Sequence, residues 1–230
     1  MKKGLTEIVF LLDRSGSMAG LESDTIGGYN SLLDKQKNQD GEALISTILF
    51  DDKTEVLHDR KALSQTPHIT QEEYYVRGCT ALLDALGDAI HHIGNVHKYA
   101  RDEDRPEKTL FVITTDGMEN SSRRYHYEDV KKLVERQKEK YGWEFLFLGA
   151  NIDAIAVAGR FGIQADHAVN YECDSAGTQL NYAVLNEAVS KVRACAGAPQ
   201  ALSANWKKEI ETDYKKRHAR QSQRKNSRMS

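Results

Sequence analysis

Polar side chains that could bind a metal ion follow two apolar runs of the sequence. The first run ends at Leu12 and is followed by Asp13, Ser15 and Ser17, and a later run is followed by Asp116. Together these side chains offer carboxylate and hydroxyl oxygens, with no thiolate or imidazole among them. Such oxygens are the ligands that Mg²⁺ prefers. The residue types therefore predict a site for a hard divalent cation.

A third segment could bring another hydroxyl to the same place. Thr80 precedes a helical pattern that begins at Ala81, so Thr80 is predicted to be the N-cap of a helix. Gly16 would let the backbone turn between the two serines. Met18 is predicted to begin a further helix, whose N-terminus would favour an anionic ligand of the cation.

The elements that must position these residues are indicated by alternating apolar runs and helical patterns. Helical spacing between the runs predicts an α/β fold, a doubly wound and mostly parallel sheet with helices on both faces. Ligands of such sheets bind outside the carboxyl ends of the strands, where the strand order reverses, so the polar segments should meet there. The four runs predicted as strands are Ile8–Leu12, Leu44–Phe50, Leu110–Thr114 and Phe145–Leu148.

One edge strand is predicted to be antiparallel. The second apolar run leads through Asp51 and Asp52 into Thr54–His58, which is the pattern of a hairpin. The elements predicted after the fourth run complete a Rossmann-like fold. They are a short helix at Ala154–Phe161, a last strand at His167–Tyr171 and a final helix at Ala176–Ala194.

The polar segments resemble the metal-ion-dependent adhesion site of von Willebrand factor A domains. That site has the pattern D-x-S-x-S, then a distant Thr, then a distant Asp, and no position here departs from it. The matching residues are Asp13, Ser15, Ser17, Thr80 and Asp116. The resemblance extends from about Thr6 to Arg193, and the chain looks more similar to the intracellular prokaryotic or phage members of the family than to the secreted ones.

The resemblance implies both a cofactor and a kind of partner. The five matching residues would hold one divalent cation, Mg²⁺ or else Mn²⁺ or Ca²⁺. An Asp or Glu side chain of another protein would then complete the coordination of that cation. The implied function is metal-dependent protein binding with no catalytic residues.

Two other functions compete with a binding module. A Mg²⁺-dependent phosphatase of the haloacid dehalogenase type also has a carboxylate after its first strand. Its general acid is a second Asp at the position that Ser15 occupies here, and a serine cannot do that work. Nucleic-acid binding would rest on the basic C-terminal segment, where only Trp206 and Tyr214 are aromatic. The sequence therefore favours a protein partner over nucleic acid.

Length and charge predict one domain with a basic appendage. The 230 residues fit a single large α/β domain, and the net charge of −2 gives no general attraction to nucleic acid or membranes. From Trp206 to Ser230 there are nine Lys/Arg and three Asp/Glu, a net charge of +6. We predict a vWA-like domain over residues 1–198 and a tail over residues 199–230 that is partly helical or disordered. The tail should bury little surface, and Trp206 would be its anchor if it packs on the domain.

The cellular compartment is predicted from cysteines and apolar runs. The three cysteines form no C-x-x-C pair, which argues against a disulfide framework and a structural zinc site. The run Ile8–Leu12 is too short for an export signal, and no stretch approaches the roughly 20 apolar residues of a membrane helix. We therefore expect a cytoplasmic protein that does not enter a membrane.

Several polar residues near these motifs are assigned structural roles. Asp51 and Asp52 are expected to form a hairpin turn rather than a second metal site. Glu119 and Asn120 could contact a partner or tune the metal, but a solvated loop is favoured. Cys79 is expected to be structural, because no base is placed to activate it. Three histidines of one predicted helix lack the i, i+4 spacing of a zinc pair. They are His91, His92 and His97.

Overall fold

A computed structural model describes residues 1–195 and 204–228 of the chain. Six strands are present: β1 (Lys2–Asp13), β2 (Ala43–Phe50), β3 (Thr54–Ala62), β4 (Pro106–Thr115), β5 (Glu144–Gly149) and β6 (Ala168–Asn170). They form one sheet in the order β3-β2-β1-β4-β5-β6. Only β3 runs antiparallel to its neighbour; the other pairs are parallel. The predicted mostly parallel sheet with one antiparallel edge strand is confirmed.

Helices cover both faces of the sheet, as predicted. They are α1 (Glu22–Lys37), α2 (Leu82–Tyr99), α3 (Tyr127–Tyr141), α4 (Ala154–Arg160), α5 (Ser175–Ala194) and α6 (Lys208–Arg228). Helices α1 and α5 share one hydrophobic core with the sheet, and α2, α3 and α4 share the other. No helix in the described part of the chain is both long enough and apolar enough to cross a membrane.

The central strand β1 contributes to both cores. Its side chains alternate between the faces of the sheet, so Ile8 and Phe10 join the core of α1 and α5, whereas Val9 and Leu11 join the core of α2, α3 and α4. All four are fully buried. This burial on both faces explains why the sequence of β1 is almost continuously apolar.

The strand order reverses beside β1. The chain passes from β1 to β2 and β3 on one side, and then crosses to β4, which pairs with the opposite edge of β1. The carboxyl ends of β1 and β4 are therefore neighbours at the point where crossovers diverge. This is the position at which open α/β sheets form their ligand-binding crevice.

The C-terminal segment packs on the domain, contrary to the expectation that it buries little surface. Trp206 is only 5% exposed and its side chain joins the core of α1 and α5, together with Ile210. The indole Nε1 donates a 2.7 Å hydrogen bond to the carbonyl of Asp166, just before β6. Burial of this large apolar ring, whose one polar atom has a hydrogen-bond partner, offsets the entropic cost of ordering the segment. Trp206 is the anchor that the sequence offered for this case.

Charged residues of the same segment also contact the domain. The buried Lys207 Nζ donates to the carbonyl oxygens of Ala165 at 2.6 Å and Ala168 at 2.7 Å. Farther along α6, Arg217 forms an ion pair with Asp174, the residue before α5. Through these contacts the C-terminal segment packs beside the edge strand β6. The predicted domain boundary after residue 198 lies outside the described residues and stays a prediction.

Candidate metal centre

Asp13 is the last residue of β1, and two hydrogen bonds fix its carboxylate. The residue is 1% exposed. Its Oδ1 accepts a bond of 2.7 Å from the amide of Ser15, and its Oδ2 accepts one of 2.5 Å from the hydroxyl of Thr115 at the end of β4. The bond from Thr115 joins the carboxyl ends of the two strands directly. No pattern in the sequence assigns Thr115 to the site.

The loop after β1 brings its two serines together. Ser15 precedes a short 3-10 turn at Gly16–Met18, and the Oγ atoms of Ser15 and Ser17 lie 3.1 Å apart. The prediction that a helix begins at Met18 was wrong, because α1 starts only at Glu22. The dipole of α1 therefore begins one turn away from the serines, and its influence on an anion at this loop is weaker than expected.

Thr80 reaches the site from a second loop. The prediction that Thr80 caps α2 was wrong, because the helix starts at Leu82 and its capping position is Ala81. The backbone of Thr80 is instead held by Asn120: its amide donates to Asn120 Oδ1 at 2.9 Å, and its carbonyl accepts from the Asn120 amide at 3.0 Å. The Thr80 hydroxyl is thus not needed to cap α2.

The hydroxyls of the two loops surround one small space beside Gly117. A Cβ atom placed on Gly117 would lie 3.0 Å from Ser17 Oγ, 3.2 Å from Thr80 Oγ1 and 3.9 Å from Ser15 Oγ. Ser17 Oγ also donates a short hydrogen bond to Asp116 Oδ1. The structure therefore brings all five predicted residues to one crevice, and a side chain at position 117 would fill it. The presence of a metal ion there remains a prediction.

The two carboxylates of the crevice have no cationic partner in the part of the chain that the structure describes. Within residues 1–195 and 204–228, Asp13 and Asp116 form no ion pair with Lys, Arg or His; their partners are hydroxyls, an amide and a thiol. Burial raises the pKa of Asp13 to about 6 and also raises the pKa of Asp116. Two carboxylates beside three hydroxyls form a donor set that suits a hard divalent cation.

Cys173 is an unforeseen neighbour of this site. It lies between β6 and α5, and its Sγ donates to Asp116 Oδ2 over 3.4 Å. Burial, and then the negative charge of Asp116, raise the pKa of the Cys173 thiol to about 11, so the sulfur keeps its proton at neutral pH. Cys173 follows Asp116 by 57 residues, and the motif offers no signal for it.

The loop after Asp116 is bound to α2 rather than only solvated. Glu119 Oε2 accepts hydrogen bonds from the amide of Leu83 at 2.9 Å and the hydroxyl of Ser122 at 2.8 Å. Together with the bonds between Asn120 and Thr80, these contacts attach the third loop of the site to the second. The expectation of a solvated loop was wrong for Glu119, which is half-buried; Asn120 is exposed, as expected, but is also hydrogen-bonded to Thr80.

The three histidines of α2 are not arranged as zinc ligands. His97 binds Glu7 and His92 binds Asp59, while the His91 ring lies against Tyr125. Among the described residues, no group of three or more His, Cys, Asp and Glu side chains could hold a metal ion. The proposed centre differs from such groups because three of its five ligands are hydroxyls.

Comparisons with known proteins identify the fold. No family model matches the sequence, and no curated protein matches it. Solved structures do match. A von Willebrand factor type A protein from Catenulispora acidiphila is 14% identical over 83% of this chain and 43% of its own, with a TM-score of 0.51. Proximal thread matrix protein 1 from the mussel byssus, with a zinc-occupied adhesion-site motif, is 14% identical over 82% of this chain and 46% of its own, with a TM-score of 0.55.

The match to a third solved structure extends over a larger share of that protein. The manganese-loaded TRAP protein of Plasmodium vivax is 16% identical over 78% of this chain and 73% of its own, with a TM-score of 0.54. By contrast, the chain spans less than half the length of the mussel and Catenulispora proteins. At these identities the likeness concerns the fold, which is that of von Willebrand factor A domains.

Proposed function

We propose that this chain is a metal-dependent protein-binding module. Its ligands for one divalent cation, Mg²⁺ in the cell, are Asp13, Ser15, Ser17, Thr80 and Asp116. An Asp or Glu side chain of a partner protein completes the site. The observation that carries the proposal is the pair of buried carboxylates, without a cationic partner in the described residues, beside three convergent hydroxyls.

The residues of the crevice would supply two kinds of oxygen ligand to the cation. Asp13 and Asp116 contribute negative charge, whereas Ser15, Ser17 and Thr80 contribute neutral oxygens. A bound divalent cation would supply the positive charge that the two carboxylates lack and a coordination position for an acidic group. Ser17 is exposed, so a partner can approach the crevice from solvent on this side. Two solved structures of the same fold, named as zinc-occupied and manganese-loaded, support a divalent cation without distinguishing Mg²⁺ from other metals.

We propose binding without catalysis. The side chains that contact the two carboxylates are Ser15, Ser17, Thr115 and Cys173. Among them only Cys173 titrates, and its raised pKa keeps it protonated. A phosphatase of the haloacid dehalogenase type would need a general acid where Ser15 lies. A screen of phosphomonoesters and nucleotides should give background rates, and turnover that Asp13→Asn abolishes would contradict this part of the proposal.

The compartment and the partner belong to the same proposal. A cytoplasmic location, as in intracellular members of the family, is supported by three cysteines that are all free in the structure. A protein partner is favoured over nucleic acid because part of the positive charge of the C-terminal segment is used within the chain, by Lys207 and Arg217. The partner's contribution would be a carboxylate, which a cation in this crevice attracts.

The test is capture of a partner under conditions that separate metal from other contacts. Wild-type protein and Asp13→Ala are immobilised and exposed to lysate of the native host with Mg²⁺ or with EDTA. A true partner should be retained only by the wild type with Mg²⁺, and changing its contacting Asp or Glu to the amide should release it. Retention that survives both EDTA and Asp13→Ala would show that binding does not use the crevice.

A further inference from the structure

The segment that carries Thr80 needs an external support. In the described structure, residues 66–81 form neither a strand nor a helix. Such a loop has no backbone ladder of its own, and contacts with its surroundings must fix its position. The question is which residue holds this long segment beside the serines of the first loop.

Asp51, at the turn after β2, contacts the segment in two ways. Its carboxylate Oδ2 accepts hydrogen bonds from Arg14 Nε at 2.7 Å and from Arg77 Nε at 2.8 Å. Its Oδ1 accepts from the amide of Lys53 at 2.8 Å, and its backbone carbonyl accepts from the amide of Ala81 at 2.8 Å. One fully buried residue therefore binds the first loop, its own turn and both sides of Thr80.

The backbones of the first two loops are also joined beside these side chains. The Arg77 amide donates to the carbonyl of Arg14 at 2.9 Å, and the Gly16 amide donates to the carbonyl of Gly78 at 3.1 Å. Gly78 has φ +68, and a Cβ there would lie only 2.5 Å from Asp52 Oδ1. The second loop thus packs directly on the turn that contains Asp51, where only glycine fits.

The charges of this cluster are balanced, and two of its members, Arg14 and Asp51, are fully buried. The guanidinium of Arg14 is fully buried, and its Nη1 also pairs with Glu55 Oε2 at 2.8 Å. The ring of Tyr75 lies within 5.4 Å of the Arg14 guanidinium and within 5.3 Å of that of Arg77. Two cations face two carboxylates. Removal of the Asp51 charge would leave Arg14 buried with only Glu55 as its counter-ion, and such a change is costly.

We propose that Asp51 is a positioning residue of the metal site. Through Arg14, Arg77 and Ala81 it fixes the distance between Thr80 and the serines of the first loop. The inference rests on the proposed metal site and adds a residue that touches neither the metal nor the partner. Residues that orient metal ligands typically change metal affinity by about 10- to 100-fold when they are replaced.

The experiment compares two buried carboxylates that each form hydrogen bonds with two basic side chains. Asp51→Asn changes the one beside the crevice; Glu7→Gln changes the matched control near the other end of the sheet, where Glu7 accepts from Arg60 and His97. Isothermal titration with Mn²⁺ gives the dissociation constant, and melting in EDTA gives the stability of each variant. We expect at least a roughly tenfold weaker Mn²⁺ affinity for Asp51→Asn, and the wild-type affinity for Glu7→Gln at a comparable or larger loss of melting temperature.

Two further measurements protect the test against a variant that fails to fold. Arg77→Gln removes one partner of Asp51 and leaves the buried Arg14 pair, so it should fold and bind Mn²⁺ more weakly than wild type, by a smaller factor. In the metal-free state, the amides of Ala81 and Gly16 should exchange with solvent faster in this variant than in wild type.

The outcomes separate this inference from the proposed function. Wild-type affinity in Asp51→Asn, or in Arg77→Gln if the first does not fold, would overturn the positioning role while leaving the metal site intact. A wild-type protein that binds no Mn²⁺ would overturn the proposed site and this inference with it.

Discussion

Buried carboxylates at the two ends of the sheet differ in whether a basic side chain binds them. Toward the amino ends of the parallel strands, Glu7 is fully buried and accepts hydrogen bonds from Arg60 Nε at 2.6 Å and His97 Nε2 at 2.5 Å. At the carboxyl ends, Asp13 and Asp116 are each 1% exposed, and neither forms an ion pair within the described residues. The charge of Glu7 is therefore compensated within the chain. The charges of Asp13 and Asp116 are not, and a bound ligand could compensate them.

The buried carboxyl group of Glu144 is neutralised in a third way, by a proton instead of a cationic side chain or a bound ion. Neither oxygen of Glu144, at the start of β5, has a hydrogen-bond partner in the described structure, and burial raises its pKa to about 7. A proton therefore neutralises much of Glu144 at neutral pH. The pKa of Asp13 rises only to about 6, so at neutral pH it is mostly ionised. An ionised buried group without a cation is costly unless an ion binds beside it.

The largest expected effect is a difference in the free energy of unfolding between two variants, one at each end of the sheet. Glu7→Gln leaves Arg60 and His97 without their carboxylate, and breaking such a buried pair costs about 3–5 kcal/mol. Asp116→Asn removes an uncompensated charge and should cost much less in metal-free protein. Urea unfolding in EDTA measures both free energies. Equal losses would show that the two ends do not differ as described.

The next effect concerns Trp206, the anchor of the C-terminal segment, whose indole binds the carbonyl of Asp166 just before the edge strand β6. Trp206→Ala empties a buried site, and such truncations cost about 3–5 kcal/mol when the cavity does not collapse. The stabilisation by Mg²⁺ should persist, because Trp206 packs in the core of α1 and α5 and its indole binds Asp166, which is none of the five candidate ligands. Lys216→Ala, at an exposed position of α6, is the control and should melt as wild type does. A melting temperature unchanged by Trp206→Ala would show that the segment does not pack as the structure has it.

A smaller effect is the pH dependence that Asp13 gives the metal-free protein. Its pKa of about 6 in the folded state lies above the ordinary value of 3.8, so folding favours the protonated form. The stability contributed by this group should therefore increase as the pH falls from 7.5 to 5, by about 1 kcal/mol. Mg²⁺ binding should weaken over the same range, because protons compete with the cation. Unfolding at several pH values, with Asp13→Asn as the reference, isolates this contribution; the same gain in that variant would contradict it.

The smallest effect concerns the thiol that donates to Asp116. A typical hydrogen bond contributes about 1 kcal/mol, and a thiol is a weak donor even to a carboxylate. Cys173→Ala should weaken Mg²⁺ binding by no more than about fivefold, which is the same energy expressed as an affinity. Cys173→Ser keeps a donor and should bind as wild type does. Titration calorimetry on both variants makes the comparison. Loss of all binding in Cys173→Ala would mean that the sulfur has a larger role than a donor to Asp116.

The fold could be predicted because its strands are covered on both faces. The apolar runs at β1, β4 and β5 and the hairpin turn at Asp51 identified the sheet and its antiparallel edge. The place of Trp206 could not be predicted from composition. The segment around it is basic and poor in apolar residues, and only the three-dimensional structure shows that the end of the sheet at β6 accepts a single large ring.

The five candidate ligands could be predicted because each stands beside a predicted strand or helix, in the order of a known motif. The residues that hold them could not. Thr115 and Asn120 act through hydrogen bonds to Asp13 and Thr80, and Asp51 acts through a carboxylate that meets Arg14 and Arg77 only after folding. Contacts between residues so far apart in the chain leave no periodicity in the sequence. The start of α1 was also placed too early, because a 3-10 turn at Gly16–Met18 precedes it.

The measurement that tests the central claim most directly is the titration of EDTA-stripped protein with Mg²⁺, for the wild type and for Asp13→Ala. Circular dichroism first establishes that the variant keeps the fold. The account predicts that the wild type binds one ion per chain and melts at a higher temperature with Mg²⁺, because a ligand of the folded state stabilises it. The folded Asp13→Ala should show neither effect. A wild type that does not respond to Mg²⁺, or a variant that responds equally, would contradict a metal centre at the carboxyl ends of β1 and β4.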